Sequence, residues 1–142
     1  MRFMMIMYPG PKAEAGVLPD ETILEAMGKY NEELVKAGVL LAGEGLHPTS
    51  RGARVRFPGG KARVSDGPFT EAKEIIGGYW LIQTKSKQEA IEWASRCPAS
   101  GEEMIEIRQV YETEDFAEVD PTGEHRKKEH ELREAVASRT RE

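Results

Sequence analysis

The sequence predicts an α+β domain, on three observations. Two β-α-β patterns run in series between residues 3 and 111. A strand–turn–strand pattern rich in Arg and Lys interrupts them at residues 54–64. The strands at residues 3–8 and 79–83 are apolar at nearly every position, so each needs cover on both faces.

The elements follow in order. Residues 3–8 form a central strand stopped by Pro9, Gly10 and Pro11, and a polar loop runs on to Leu18. Residues 19–37 form a helix. Pro19 suits its first turn, Asp20 and Glu21 favour the positive end of the dipole, and Gly38 is a left-handed stop. Ile23, Met27, Tyr30 and Leu34 make its buried stripe. Residues 39–42 form a short buried strand that ends in the loop Gly43-Glu44-Gly45-Leu46-His47-Pro48. Residues 54–57 and 61–64 pair as a hairpin across Pro58, Gly59 and Gly60. Alternation sets Val55, Phe57, Ala62 and Val64 on one face and Arg54, Arg56, Lys61 and Arg63 on the other. Residues 70–75 are expected to make one helical turn before Gly77 and Gly78 break it. After the strand at 79–83, Ser86 and Glu89 form a capping box. The helix it opens runs to about Arg96 and buries Ala90, Ile91 and Ala94. Residues 103–111 close the domain as a strand, with Ile105 and Ile107 inward and Glu106 and Arg108 outward.

This order is a split β-α-β repeat of the ferredoxin-like kind with an inserted hairpin. Two helices cover one face of a roughly four-stranded sheet. No further helix before residue 111 can cover the other. A second subunit, packing sheet on sheet, is the simplest cover. Residues 112–142 form a charged C-terminal extension, helical or disordered, with 10 acids against 6 bases.

Composition narrows the function. A chain of 142 residues suits one domain with a sizeable core. A formal charge of −5 argues against a nucleic-acid surface. The single cysteine, Cys97, excludes an intrachain disulfide and a cysteine-rich zinc site, and suits a cytoplasmic protein. No apolar run approaches the ~20 residues of a membrane span. The apolar stretch at residues 1–8 ends too soon for a signal peptide. His125 and His130 are five residues apart, which on a helix points them in different directions, so no metal site is expected. There is no phosphate-cradling glycine loop and no nucleophile elbow, and no cofactor is expected.

The candidates for chemistry gather around Asp66-Gly67-Pro68-Phe69. Asp66 either accepts local N–H bonds in a turn that Gly67 completes with a positive φ, or faces a pocket near Lys73 as acid, base or ligand anchor. Phe69 is core, dimer interface or a ligand contact. Glu44 sits between glycines that permit close approach of backbone or ligand. His47, the only histidine in residues 1–111, is an exposed loop residue or a general base paired with Glu44 or Asp66. Tyr8 and Tyr79 are core residues or offer hydroxyls to a cavity. The basic hairpin face is solvated or receives an acidic partner, such as residues 112–120.

Three motifs and their spacing resemble the YCII-related family, and within it the group known for an Asp-Gly-Pro-Phe motif. They are Gly43-Glu44-Gly45-Leu46, Asp66-Gly67-Pro68-Phe69 with Glu71, Lys73 and Glu74, and Gly77-Gly78-Tyr79. The resemblance covers residues 1–111. It implies a dimeric α/β barrel of two ferredoxin-like subunits. Relatives in the wider family place a His and an Asp in an active-site cleft. Asp66 matches the Asp-bearing motif, but the helix at 19–37, where that His would be sought, has none. Some members of the group look like companions of extracytoplasmic-function sigma factors. The expectation is therefore a homodimer that binds a small organic molecule, an anionic one included, in a cleft between sheet and helices. Asp66 and His47 are its catalytic candidates, and Glu44, Lys73, Tyr8 and Tyr79 its ligand-binding candidates. An enzyme of this kind would be a cofactor-independent isomerase, lyase or hydrolase working by acid/base chemistry. The alternative is a regulatory partner of such a sigma factor.

Overall fold

The computed structural model describes residues 1–69 and 74–140, and the chain divides into two compact units, Met1–Gln109 and Val110–Glu142. The first unit runs β1 (Arg2–Tyr8), α1 (Pro11–Glu14), α2 (Glu21–Lys36), β2 (Leu40–Gly45), β3 (Ala53–Arg56), β4 (Arg63–Asp66), β5 (Gly78–Gln83), α3 (Lys87–Ser95) and β6 (Met104–Gln109). Four strands form an antiparallel sheet in the order β2-β5-β1-β6, consistent with a ferredoxin-like fold. β3 and β4 pair apart from it as a two-stranded ribbon. Among the described residues, no helix is long and apolar enough to cross a membrane.

β1 is central because its residues are apolar on both faces. Met5 stands opposite Trp80 on one side and Ile107 on the other. Phe3 and Met5 of β1, with Trp80 and Ile82 of β5, pack under Tyr30 and Leu34 of α2 and Ala90 of α3. Two hydrogen bonds fix the large polar aromatics: Trp80 Nε1 donates to Asn31 Oδ1 at 2.8 Å, and the Tyr30 hydroxyl donates to the Trp93 carbonyl at 2.8 Å. Burial pushes the Tyr30 hydroxyl well above the usual phenol range. The registers place Met4, Ile6, Tyr8, Tyr79, Leu81 and Glu44 on the opposite face of the sheet.

Several local expectations are corrected. A short helix, α1, occupies part of the stretch expected to be loop. α2 starts at Glu21 because Asp20 is its N-cap, accepting from Ile23 N at 2.9 Å, which leaves Pro19 outside. Ile23 is 48% exposed, since the first turn extends past the core that holds Tyr30 and Leu34. β2 is longer and far more exposed than expected, being an edge strand, and Glu44 lies within it rather than in a loop. Ile91 of α3 is also exposed. Ser86 Oγ caps Glu89 N as expected, but the Glu89 carboxylate takes the N–H of Lys85 instead of that of Ser86. The ribbon strands sit at Ala53–Arg56 and Arg63–Asp66, so Asp66 ends a strand opposite Ala53. Of the helical turn expected at 70–75, residues 70–73 lie outside the described residues, and Glu74 and Ile75 are not helical.

The second unit contains a single turn of 3-10 helix, Thr113–Phe116, and α4 (Glu124–Arg139). The Tyr111 and Phe116 rings pack against each other, tilted by 42° with centroids 5.0 Å apart. α4 has Gly123 at its N-cap position and no side-chain cap there. Asp120, 5% exposed, replaces it, accepting from His125 N at 3.3 Å, Arg126 N at 3.0 Å and Arg126 Nε at 3.2 Å. Burial alone would raise the Asp120 pKa. The N–H groups of Arg126 and His125, with the Arg126 guanidinium, outweigh it and hold the carboxyl below its ordinary range.

Leu34→Ala should cost about 2–5 kcal/mol in urea unfolding, whereas Ile23→Ala should cost under about 1 kcal/mol. Because the folded pKa of Asp120 is depressed, its capping contribution is present above the unfolded value of about 3.9 and is lost as pH falls through the folded one. Backbone NMR shifts in the first turn of α4 should lose helical character only as pH falls through that lowered pKa. In Asp120→Ala that turn should already be less helical at neutral pH and insensitive to acid.

Candidate functional site

The best-built polar site lies where β1 hands over to α1. Pro11 opens that helix, and Glu14 is its last residue. Pro48 leads into a turn at Thr49–Arg51. The two meet at one oxygen: Glu14 Oε1 accepts from Thr49 N at 2.7 Å and from Thr49 Oγ1 at 2.8 Å. Thr49 Oγ1 in turn accepts from Phe69 N at 3.0 Å. The Asp-Gly-Pro-Phe segment is thus tied to Glu14 through a threonine.

Gly67 is required in this arrangement by contact and not by dihedral angle. Its φ is not positive, contrary to expectation, but an added Cβ would collide with the Thr49 carbonyl oxygen. Gly67 N donates to Gly52 O at 2.9 Å, and the Gly67–Pro68 peptide is cis. The Arg54 guanidinium lies 3.9 Å above the Phe69 ring, which makes Phe69 a packing residue of this turn.

Glu14 and His47 line a small cleft of about 20 Å³, room for a group the size of one water. Pro9, Ala13, Leu46 and Ile76 supply apolar walls. Gly77 closes one end; its N–H donates to Met7 O at 2.8 Å and its carbonyl accepts from Leu46 N at 2.9 Å. A Cβ on Gly77 would strike the Pro9 ring. Glu14 Oε2 is buried and has no hydrogen-bond partner among the described residues. Such an atom costs about 1–3 kcal/mol in a folded protein, more when charged.

The sequence candidates fall in three places. His47 is at the cleft but exposed, with Arg51 Nη1 3.1 Å from its Nε2. Glu44, Tyr79 and Tyr8 come together on the opposite face of the sheet, Glu44 directly across from Tyr79 and Tyr8 diagonal to it. Asp66 is exposed at the end of β4, with no side-chain hydrogen bond or ion pair among the described residues. Lys73 lies outside the described residues. Glu14 and Thr49 were not legible in advance: a lone Glu in a polar stretch and a Thr after a Pro carry no motif.

A wider groove of about 320 Å³ lies along α3 and β6, lined by Ile91, Cys97 and Ile105. Its chemistry is poorer. Burial pushes the Cys97 thiol up to about 11, with Glu103 adding to the effect, so little thiolate forms at neutral pH. The Glu103 carboxylate is engaged by Ser100 and Gly101. Among the described residues no group of three His, Cys, Asp or Glu side chains could hold a metal ion.

The profile of the YCII-related domain matches residues 1–114. An uncharacterized protein of Rhizobium meliloti (strain 1021) is 36% identical over 75 residues, 53% of this chain and 60% of that protein. The chain therefore matches less than two thirds of that relative's length.

Gly67→Ala should destabilise the protein by about 1–3 kcal/mol, through the clash at Thr49. Gly28→Ala, where nothing lies within 4 Å of the added Cβ, should instead stabilise α2 by about 0.5–1 kcal/mol. Urea unfolding of the two variants checks both signs.

Proposed function

The chain belongs to the YCII-related family, and on that footing we propose that it binds a small organic molecule in the cleft between Glu14 and His47. The observation that carries this reading is the Glu14 carboxylate, one oxygen fixed by Thr49 and the other buried without a partner among the described residues. A carboxylate held in one orientation in an apolar setting is suited to bind a donor or to move a proton without a cofactor. In this reading Glu14 takes the part first assigned to Asp66. His47 is a rim contact, and Lys73 a further candidate. The Asp66–Phe69 turn acts from behind, by positioning.

The wider reading has four parts. The chain sits in the Asp-Gly-Pro-Phe group of its family. Residues 1–111 are the family domain, and residues 112–142 a charged extension. Two copies pack through the sheet face that carries Met4, Ile6 and Leu81, half-buried apolar side chains in one subunit, to make a dimeric α/β barrel. Tyr8, Tyr79 and Glu44 then line the space between the sheets. The protein works in the cytoplasm. A second reading, partnership with an extracytoplasmic-function sigma factor, is favoured by one observation: the β3–β4 ribbon sets Arg56 directly opposite Arg63 and leaves Val55, Phe57 and Val64 exposed. Like charges in register suit a surface that meets an acidic partner.

Crystals soaked in a mixture of small organic fragments should show a fragment against Glu14; fragments found only elsewhere would reject the cleft. Light scattering should return twice the 15.9 kDa chain mass, and a monomer at micromolar concentration would reject the barrel.

A further inference from the structure

Resting on the small-molecule reading above, we propose that the cleft recognises a primary ammonium group on a short alkyl stem, held by Oε2 of Glu14. Oε1 is already occupied, taking both the N–H and the hydroxyl of Thr49 at 2.7 and 2.8 Å. Oε2 is buried and takes nothing from the described residues. An ionised carboxylate oxygen only accepts, so the complement it selects is a donor. Arg51, a cation of the adjoining turn, is engaged with His47 at 3.1 Å and does not bond to Oε2.

Size and charge narrow the donor. An anionic head would set like charge against the carboxylate. A guanidinium is planar and spreads its donors over three nitrogens, whereas Oε2 is a single acceptor atom. An ammonium is compact and brings three donors and a positive charge. A charge-assisted bond is shorter and stronger than a neutral one. The apolar walls, Pro9, Ala13 and Ile76, suit the methylene stem behind the head group.

Amide NMR of the full chain, titrated at low salt with propylammonium, 1-propanol and propionate in turn, tests this. Propylammonium should give saturable shifts at Ala13, Thr49 and Gly77, with a Kd about tenfold or more below that of 1-propanol. Glu14→Gln should weaken that binding by about tenfold or more. Equal binding of 1-propanol or propionate, or undiminished binding to Glu14→Gln, would overturn the proposal. The probe ranking on the unmodified chain stands even where the variant folds poorly. If propanol or propionate moves these amides and the amine does not, the ammonium inference falls while the small-molecule reading survives. If no probe moves them, the ammonium inference falls, and the fragment soak decides the broader reading separately.

Discussion

Thr49 is held from two sides, and the arrangement of the candidate site depends on it. Its N–H and hydroxyl orient the Glu14 carboxylate; its hydroxyl also receives the Phe69 N–H, and its carbonyl abuts Gly67. One hydroxyl serves as donor to one segment and acceptor to another, which uses both of its capacities. The chain between Gly52 and Gly67 is a ribbon, and the Gly67 N–H to Gly52 carbonyl bond closes its base. The ribbon can vary in length or charge without moving Glu14, provided that base stays closed. The motif is therefore a clamp at the root of an insertion, and in the proposed reading it positions Glu14 on another segment.

The sheet divides its apolar residues between two tasks. Phe3, Met5, Trp80 and Ile82 meet the helices and form the core, where Leu34 is wholly buried. Met4, Ile6 and Leu81, one position along each strand, are only half-buried. Period-two alternation makes this division unavoidable for any strand that is apolar throughout. The site sits at the end of β1, where neither face dominates, and the chain there is built from Pro and Gly.

Much of the fold was legible because its signals are local. The apolar strands, the Ser86 cap and the Tyr30–Leu34 pair each announce themselves within a few residues. Burial was less legible: β2 and Ile23 look like core residues in sequence and are exposed, because edge position and helix overhang are set by the assembled sheet. The site was the least legible part. Glu14 and Thr49 are 35 residues apart and meet only through tertiary structure. Gly67 reads in sequence as a positive-φ turn residue, whereas contact and not a left-handed φ demands it.

The two hydrogen bonds of Gly77, to Met7 on one side and from Leu46 on the other, continue the sheet's ladder to the edge of the cleft. The wall they form cannot swing outward without breaking backbone pairing on both flanks. The outline of the cleft is therefore fixed by the sheet, and under the proposed small-molecule reading a guest would order little of the protein on entry, which would favour small, rigid molecules over large, adaptable ones.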